Sequence, residues 1–417
     1  MPATSQQTSV LERFLRYVQI DTTSDPASIT VPSTVRQLVL LDLLVEELKS
    51  LGLSDASRDE FGIVMATLPA HSKKPNVPVI GFLAHVDTSP EMSGAGVKPI
   101  VHRAYDGRDL VLPDDPSAVL SAKDDAELAG RCGDDIVTAS GTTLLGADDK
   151  SGVAVVMAAV EHLVKNPGIP HGALRISFTP DEEIGRGVRN FDVKRFGAHC
   201  AYTLDGASLG TLEAETFSAD AMSVTFQGRN THPGFAHGSM VNTVKIAADF
   251  VNRLPKDRLS PERTKDREGF VHPHDITATV DRTGVHFIIR DFETAQLAVK
   301  EDYLKQVAND TVEDWPGSSV SFEVTEQYRN MRDIIAKTPE IVDLAREAIR
   351  EAGVTPIDGR IRGGTDGSIL SEMGLPTPNL FSGQHRFHSR YEWTSVQEME
   401  LAVKMVVNLA QAWERRA

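Results

Sequence analysis

The sequence predicts an α/β fold: a mostly parallel sheet with flanking helices, interrupted by a smaller inserted α+β domain. Three observations lead there. Short runs of strand-like alternation are interleaved with longer runs of helical periodicity. From about residue 213 to 328 the order changes to β-α-β-β-α-β, the ferredoxin-like unit. After that stretch, helix and strand alternate once more. At 417 residues the chain is also too long for one ordinary core. The expected organisation is 1–212 and 329–417 as one discontinuous domain, with 213–328 inserted in it.

The elements follow in chain order. "LERFLRYVQI" and "STVRQLVLLDLLVEELKSLG" read as amphipathic helices, the second stopped by Gly52. "GIVMATLP" and "VPVIGFLAHVD" read as strands. Residues 89–141 carry many Asp, Gly and Pro residues without periodicity and read as loop. "SGVAVVMAAVEHLVKN" is a buried helix, and "ALRISFT" and "CAYTLD" are strands. In the insertion, a strand over 220–227 leads to a helix over 240–254. Two strands follow, "DITATVD" and "VHFIIRD", with a hairpin-like turn at 282–284. A helix over 294–309 and the strand "SVSFEVTE" complete that unit. "PEIVDLAREAIREAG", "TPNLF" and "VQEMELAVKMVVNLAQAWERR" then give helix, strand and helix.

Composition narrows the function. A 24% charged content is that of a soluble globular protein, and a net charge of −16 disfavours nucleic acid or an anionic membrane surface as partner. Two cysteines, Cys132 and Cys200, exclude a disulfide framework or a thiolate zinc cluster. The N-terminal stretch "MPATSQQTSVLERFLRYVQI" has no basic start and apolar core, so no secretory leader is expected. The apolar run "VAVVMAAV" is too short to cross a bilayer. These features fit a cytoplasmic protein.

"TPDEEIGRG" sets Asp181, Glu182 and Glu183 side by side at the carboxyl end of a strand, where open α/β sheets bind their ligands. Adjacent carboxylates repel, and a metal ion nearby would remove the repulsion. Other acids and histidines share this setting. "HVD" closes a strand with His85 and Asp87 on one face. "LLGADDKSG" places Asp148 and Asp149 before a helix, where simple helix capping is the alternative. "YTLDG" ends a strand at Asp205, and "FSGQHRFHSRYEW" offers His385 and His388. Imidazole and carboxylate without thiolate suit zinc, or less specifically manganese or cobalt. The candidates outnumber one metal's needs, but two ions about 3.5–4 Å apart with a bridging carboxylate would use them. Gly-rich "RGGTDGS" lacks a phosphate loop's lysine and spacing and reads as a substrate-edge loop.

With these residues assembled, the whole chain resembles the dinuclear-zinc metallopeptidase family that includes glutamate carboxypeptidase and aminoacylase, and within it the aminotripeptidase branch. The resemblance rests on "AHVDT", "TTLLGADDKSG", "FTPDEEIGRG", "TLDG", "THPGFAHGSMVN", "VDRTGVHFIIRDF" and "RGGTDGSILSEMGLPTPNLFSG", in that order. It implies a zinc exopeptidase-like catalytic domain and an inserted dimerisation domain. His85, Asp148 and Asp205 would hold one zinc, with Asp148 bridging to a second held by Glu183 and His388. Asp87 would orient His85. Glu182 would be the general base. His232 would reach the partner subunit's site and stabilise the oxyanion, while Asn242 and Arg290 would grip the peptide's terminal carboxylate. Asp181 is expected to be a solvated turn residue and His385 a loop residue. The implied function is removal of the N-terminal residue from tripeptides by a homodimer. A dipeptidase, an N-acyl-amino-acid deacylase and a non-catalytic metal-binding scaffold are the alternatives.

Overall fold

The computed structural model describes residues 8–417. The first seven residues of the stretch read as lacking a leader lie outside the described residues. The chain forms two compact units. One runs to Ala214 and resumes over Met331–Arg360 and Thr365–Ala417; the other comprises Glu215–Asn330 with Ile361–Gly364.

The first unit is built on an eight-stranded sheet. Its spatial order is Ser57–Arg58, Val64–Leu68, Leu174–Thr179, Ile80–His85, Cys200–Gly206, Asn379–Phe381, Thr211–Thr216, Ile357–Ile361. The four strands from Leu174–Thr179 to Asn379–Phe381 run parallel. Antiparallel pairings flank them on both sides. Every residue of Ile80–His85 is buried, as expected where helices cover both faces of a parallel core. Side chains alternate between those faces. Phe82 stacks on Tyr202, whose hydroxyl accepts from Trp413 of the last helix. Leu83 and Ala201 join a core with Phe196 and Leu370 on the other side. Helix Ala147–Lys165 comes very close to the sheet at Gly152, where an added Cβ would lie 2.0 Å from the Leu204 carbonyl oxygen. Glycine is required there.

Residues 89–141 are more ordered than the sequence suggests. Ile100–His102 and Ile136–Thr138 join Gln384–His385 and Trp393–Ser395 in a separate four-stranded sheet. Strands of two or three residues are too short for alternation to register.

In the second unit the strand order is Phe270–Ala278, Arg282–Asp291, Ser218–Gln227, Ser319–Tyr328, all antiparallel. Helices Thr243–Arg253 and Ala295–Glu313 contribute Phe250 and Leu304 to a core with Phe226 and Phe287. The hairpin turn falls earlier than expected. Arg282–Gly284 already belong to a strand, and the preceding strand starts at Phe270, reaching back through Pro273. That strand lies at the sheet edge and changes register between Pro273 and Asp275. An edge position tolerates the missing N–H of proline, and that proline is what masks the strand in the sequence.

Candidate metal centre

The parallel strands deliver the acids to one edge. His85 is the last residue of Ile80–His85, in register with Thr179 at the end of Leu174–Thr179. Asp205 lies one residue from the end of Cys200–Gly206. Asp148 stands at the start of Ala147–Lys165 with non-helical torsions, and the Asp148–Asp149 peptide is cis. The capping contact belongs to Asp149, whose Oδ1 accepts from Gly152 N–H at 3.2 Å. His388 has φ 60°, in a loop after Gln384–His385.

Asp148 joins two groups. Its Oδ1 is 3.0 Å from His85 Nε2, which is 3.7 Å from Asp205 Oδ1. Its Oδ2 is 3.3 Å from His388 Nε2, which is 2.8 Å from Glu183 Oε2. Within each triad, His85–Asp148–Asp205 and Asp148–Glu183–His388, one ligand atom per residue lies within 4.8 Å of the others. Among the described residues these carboxylates meet imidazoles, and none forms an ion pair with lysine or arginine.

That environment perturbs every member. Burial and the Asp148 charge push Glu183 up to about 8. Burial, then the charges of Asp205 and Asp366, raise Glu182 well above the usual carboxylate range against the pull of His85. Burial alone would lower His388, but its hydrogen bonds to Asp148 and Glu183 raise it to about 11. Glu183 Oε1 is buried without a hydrogen-bond partner among the described residues. One buried and two partly buried carboxylates against two imidazoles leave a demand for positive charge that protons or divalent cations can meet. An oxygen and imidazole donor set with one shared carboxylate fits divalent metal ions.

Other buried carboxylates fix the ligands through backbone N–H groups. Asp87 takes Glu182 N–H at 3.0 Å and Glu183 N–H at 3.2 Å, one on each oxygen, while its Oδ1 lies 3.3 Å from His85 Nδ1. It thus orients more than the histidine. Glu392 accepts from the N–H groups of Leu145, Gly146 and Asp148 at 2.7, 2.8 and 3.0 Å. Asp149 accepts from His85 N–H and Gly152 N–H. Asp366, accepting from Thr179 Oγ1, is pushed up to about 7, chiefly by burial. Lys150 is fully buried, with Nζ donating to the Ile20 carbonyl.

Asp181 corrects the sequence reading. It is not a solvated turn residue: its exposure is 0%. Its backbone is in the left-handed region at φ 60°, and its carboxylate accepts from Ser33 N–H at 2.6 Å and Gln37 Nε2 at 2.7 Å. Asp181 N–H donates in return to Gln37 Oε1 at 3.1 Å. The partners lie 144–148 residues away in sequence, beyond any local pattern. His385, also buried, stacks on Trp393 and bonds Glu398 Oε2 at 2.6 Å.

The other predicted residues lie in the second unit. His232 is exposed, and its Nδ1 accepts from Gly234 N–H. Asn242 Oδ1 caps helix Thr243–Arg253. Arg290 donates to the Arg362 carbonyl and lies over the Phe270 ring, with Nε buried and without a hydrogen-bond partner among the described residues. The stretch Arg362–Ser368, read as one loop, is divided: residues up to Gly364 belong to the second unit, and Thr365 caps helix Asp366–Glu372 in the first.

Residues 141–412 match the sequence model of peptidase family M20/M25/M40. Peptidase T of Geobacillus kaustophilus is 48% identical over 98% of this chain and 99% of its own length. Two crystal structures share the fold. Aminopeptidase PepT from Bacillus cereus gives a TM-score of 0.74 at 23% identity, and a tripeptidase from Staphylococcus aureus gives 0.75 at 22%. In both cases the alignment covers 98% of this chain and 99% of the other.

The Asp181 clamp has a measurable consequence. Asp181→Ala leaves Ser33 N–H and Gln37 without their buried acceptor and should cost about 3 kcal/mol of stability. Urea unfolding of the metal-free protein reads this as a lower midpoint at constant slope. A change below about 0.5 kcal/mol would show that the contact carries no stability.

Proposed function

Since the chain belongs to peptidase family M20/M25/M40, we propose that it is a two-zinc aminopeptidase removing the N-terminal residue of tripeptides. The observation that carries this reading is the division of Asp148 between two acid–histidine groups. Tripeptides are preferred over dipeptides or acyl amino acids because the motifs of the chain resemble the aminotripeptidase branch throughout. Hydrolase and aminopeptidase chemistry is shared with the full-length relative named Peptidase T.

His85, Asp148 and Asp205 would hold one ion, and Asp148, Glu183 and His388 the other. When bound there, the ions would supply Lewis acidity toward the scissile carbonyl and the attacking water. Glu182 would remove a proton from that water and deliver it to the departing amine. Asp87 holds the backbone of Glu182 and Glu183, so base and ligand keep a fixed spacing. Arg290 and Asn242 bind the peptide's terminal carboxylate. Asn242 Oδ1 is occupied by its cap, so Nδ2 is the group it offers.

The proposed enzyme is a cytoplasmic homodimer. Among the described residues no helix is long and apolar enough to cross a membrane. His232 of the partner subunit would complete each site as the oxyanion donor. Its Nδ1 is engaged locally, leaving Nε2 for that task.

A panel of di-, tri- and tetrapeptides and N-acyl amino acids tests the activity, with released amine as readout. Tripeptides should be cleaved fastest, and reversible loss on chelation should accompany them. Preference for acyl amino acids would overturn the substrate class. On the best substrate, Glu182→Gln should keep both metals and lose about 10²–10⁴-fold in kcat, whereas Glu183→Gln should lose metal from one site. The reverse pattern would exchange the two roles.

Subunit mixing tests the dimer. His232→Ala and Glu182→Ala proteins, each inactive, should recover about a quarter of wild-type activity when dissociated and recombined, because about half the dimers are mixed with one intact site. No recovery despite demonstrated exchange would mean that His232 serves its own chain.

A further inference from the structure

Among the described residues Glu213 is a carboxylate without a cationic partner. It lies half-buried in Thr211–Thr216, opposite Asn379 in the sheet register. Asn379 Nδ2 donates to Glu213 Oε2 at 2.8 Å. The same amide's Oδ1 accepts from the Asp205 backbone N–H at 3.0 Å and from Thr203 Oγ1 at 2.9 Å. One side chain therefore ties Glu213 to Asp205, within about 8 Å of its backbone nitrogen. Among the described residues Glu213 forms no ion pair with lysine, arginine or histidine. Burial, with the charge of Asp205 behind it, pushes its carboxyl up to about 7.

Two further features show that this corner is shaped around acceptors. Gln384 is 2% exposed and donates through Nε2 to the Asp205 carbonyl at 3.0 Å and to Oδ1 at 2.9 Å. That fixes its amide and leaves Oε1 buried with no donor. On the neighbouring strand, an added Cβ at Gly359 would lie 2.8 Å from Glu213 Cγ. Glycine leaves the room that the Glu213 side chain occupies. Asp205 is thus linked to two side-chain acceptors, Glu213 and Gln384 Oε1, that meet no cation among the described residues.

An aminopeptidase needs the opposite partner. The N-terminal residue of a peptide carries an α-ammonium with three N–H donors and a full charge. Only Cα separates that nitrogen from the scissile carbonyl carbon, a gap of about 2.5 Å. Whatever recognises it must stand beside the metal ligands. We propose that Glu213 receives the α-ammonium of the substrate and thereby makes the site select free amino termini. This assignment rests on the aminopeptidase reading and names the residue responsible for it. A charge-assisted hydrogen bond supplies the selectivity, because an analogue without the amine leaves a half-buried carboxylate unpaired.

The test compares a tripeptide with its desamino analogue, in which hydrogen replaces the N-terminal amino group. Both are assayed on the metal-loaded full-length enzyme. Wild-type kcat/KM should favour the amine by on the order of 10²-fold. Glu213→Gln should reduce that ratio below about tenfold, chiefly through a higher KM for the amine substrate. Gly359→Ala, which displaces Glu213 without altering it, should lower the ratio in the same direction, and this second variant decides the matter if Glu213→Gln does not fold. Zinc content is measured throughout. If wild type prefers the amine and the folded variants keep the wild-type ratio, the Glu213 assignment is wrong. If wild type cleaves no tripeptide, or cleaves both compounds equally, the aminopeptidase reading itself fails.

Discussion

Burying like charge without counter-charge is the constraint on which the centre is organised. Asp148 is held within 4.8 Å of Asp205 in one group and of Glu183 in the other, and each group contains a single imidazole. Such an arrangement is unstable in an apolar environment unless cations or protons enter it. Asp148 is the pivot. Its two oxygens face different histidines, so one carboxylate can serve two ions at once.

The protein holds this arrangement with a second set of acids. Asp87, Asp149 and Glu392 accept backbone N–H groups from the segments that carry Glu182, Glu183, His85 and Asp148. Asp181 does the same work toward the N-terminal segment, through Ser33 and Gln37. That segment also pairs with the strand end after His85, at Thr23 and Thr88, and receives Lys150 at Ile20. The first helices are thus part of the frame of the centre, although they contribute no ligand. Backbone N–H groups are well suited to this task because they stabilise a buried carboxylate without adding a charge that would compete with a metal.

The parallel core was legible because its strands are apolar runs that end in polar residues of one chemical type. His85, Asp148, Glu183 and Asp205 stand at or next to such ends or helix starts, His388 lies in a loop, and the structure brings them together around Asp148. Asp181 was misread because what defines it is a contact with Ser33 and Gln37, far away in sequence. Glu392, Lys150, Asp366 and Glu213 share that property: each acts through a partner on another segment. The strand from Phe270 was truncated for a different reason. Its proline and histidines obscure the alternation, and only its edge position makes Pro273 acceptable.

Anomalous diffraction at the zinc absorption edge, from crystals of the zinc-loaded protein, tests the shared-carboxylate account most directly. The account predicts two peaks about 3.5–4 Å apart, with one Asp148 oxygen on each. One peak would reduce the centre to a mononuclear site. Two peaks without Asp148 between them would contradict the bridging role on which this account depends.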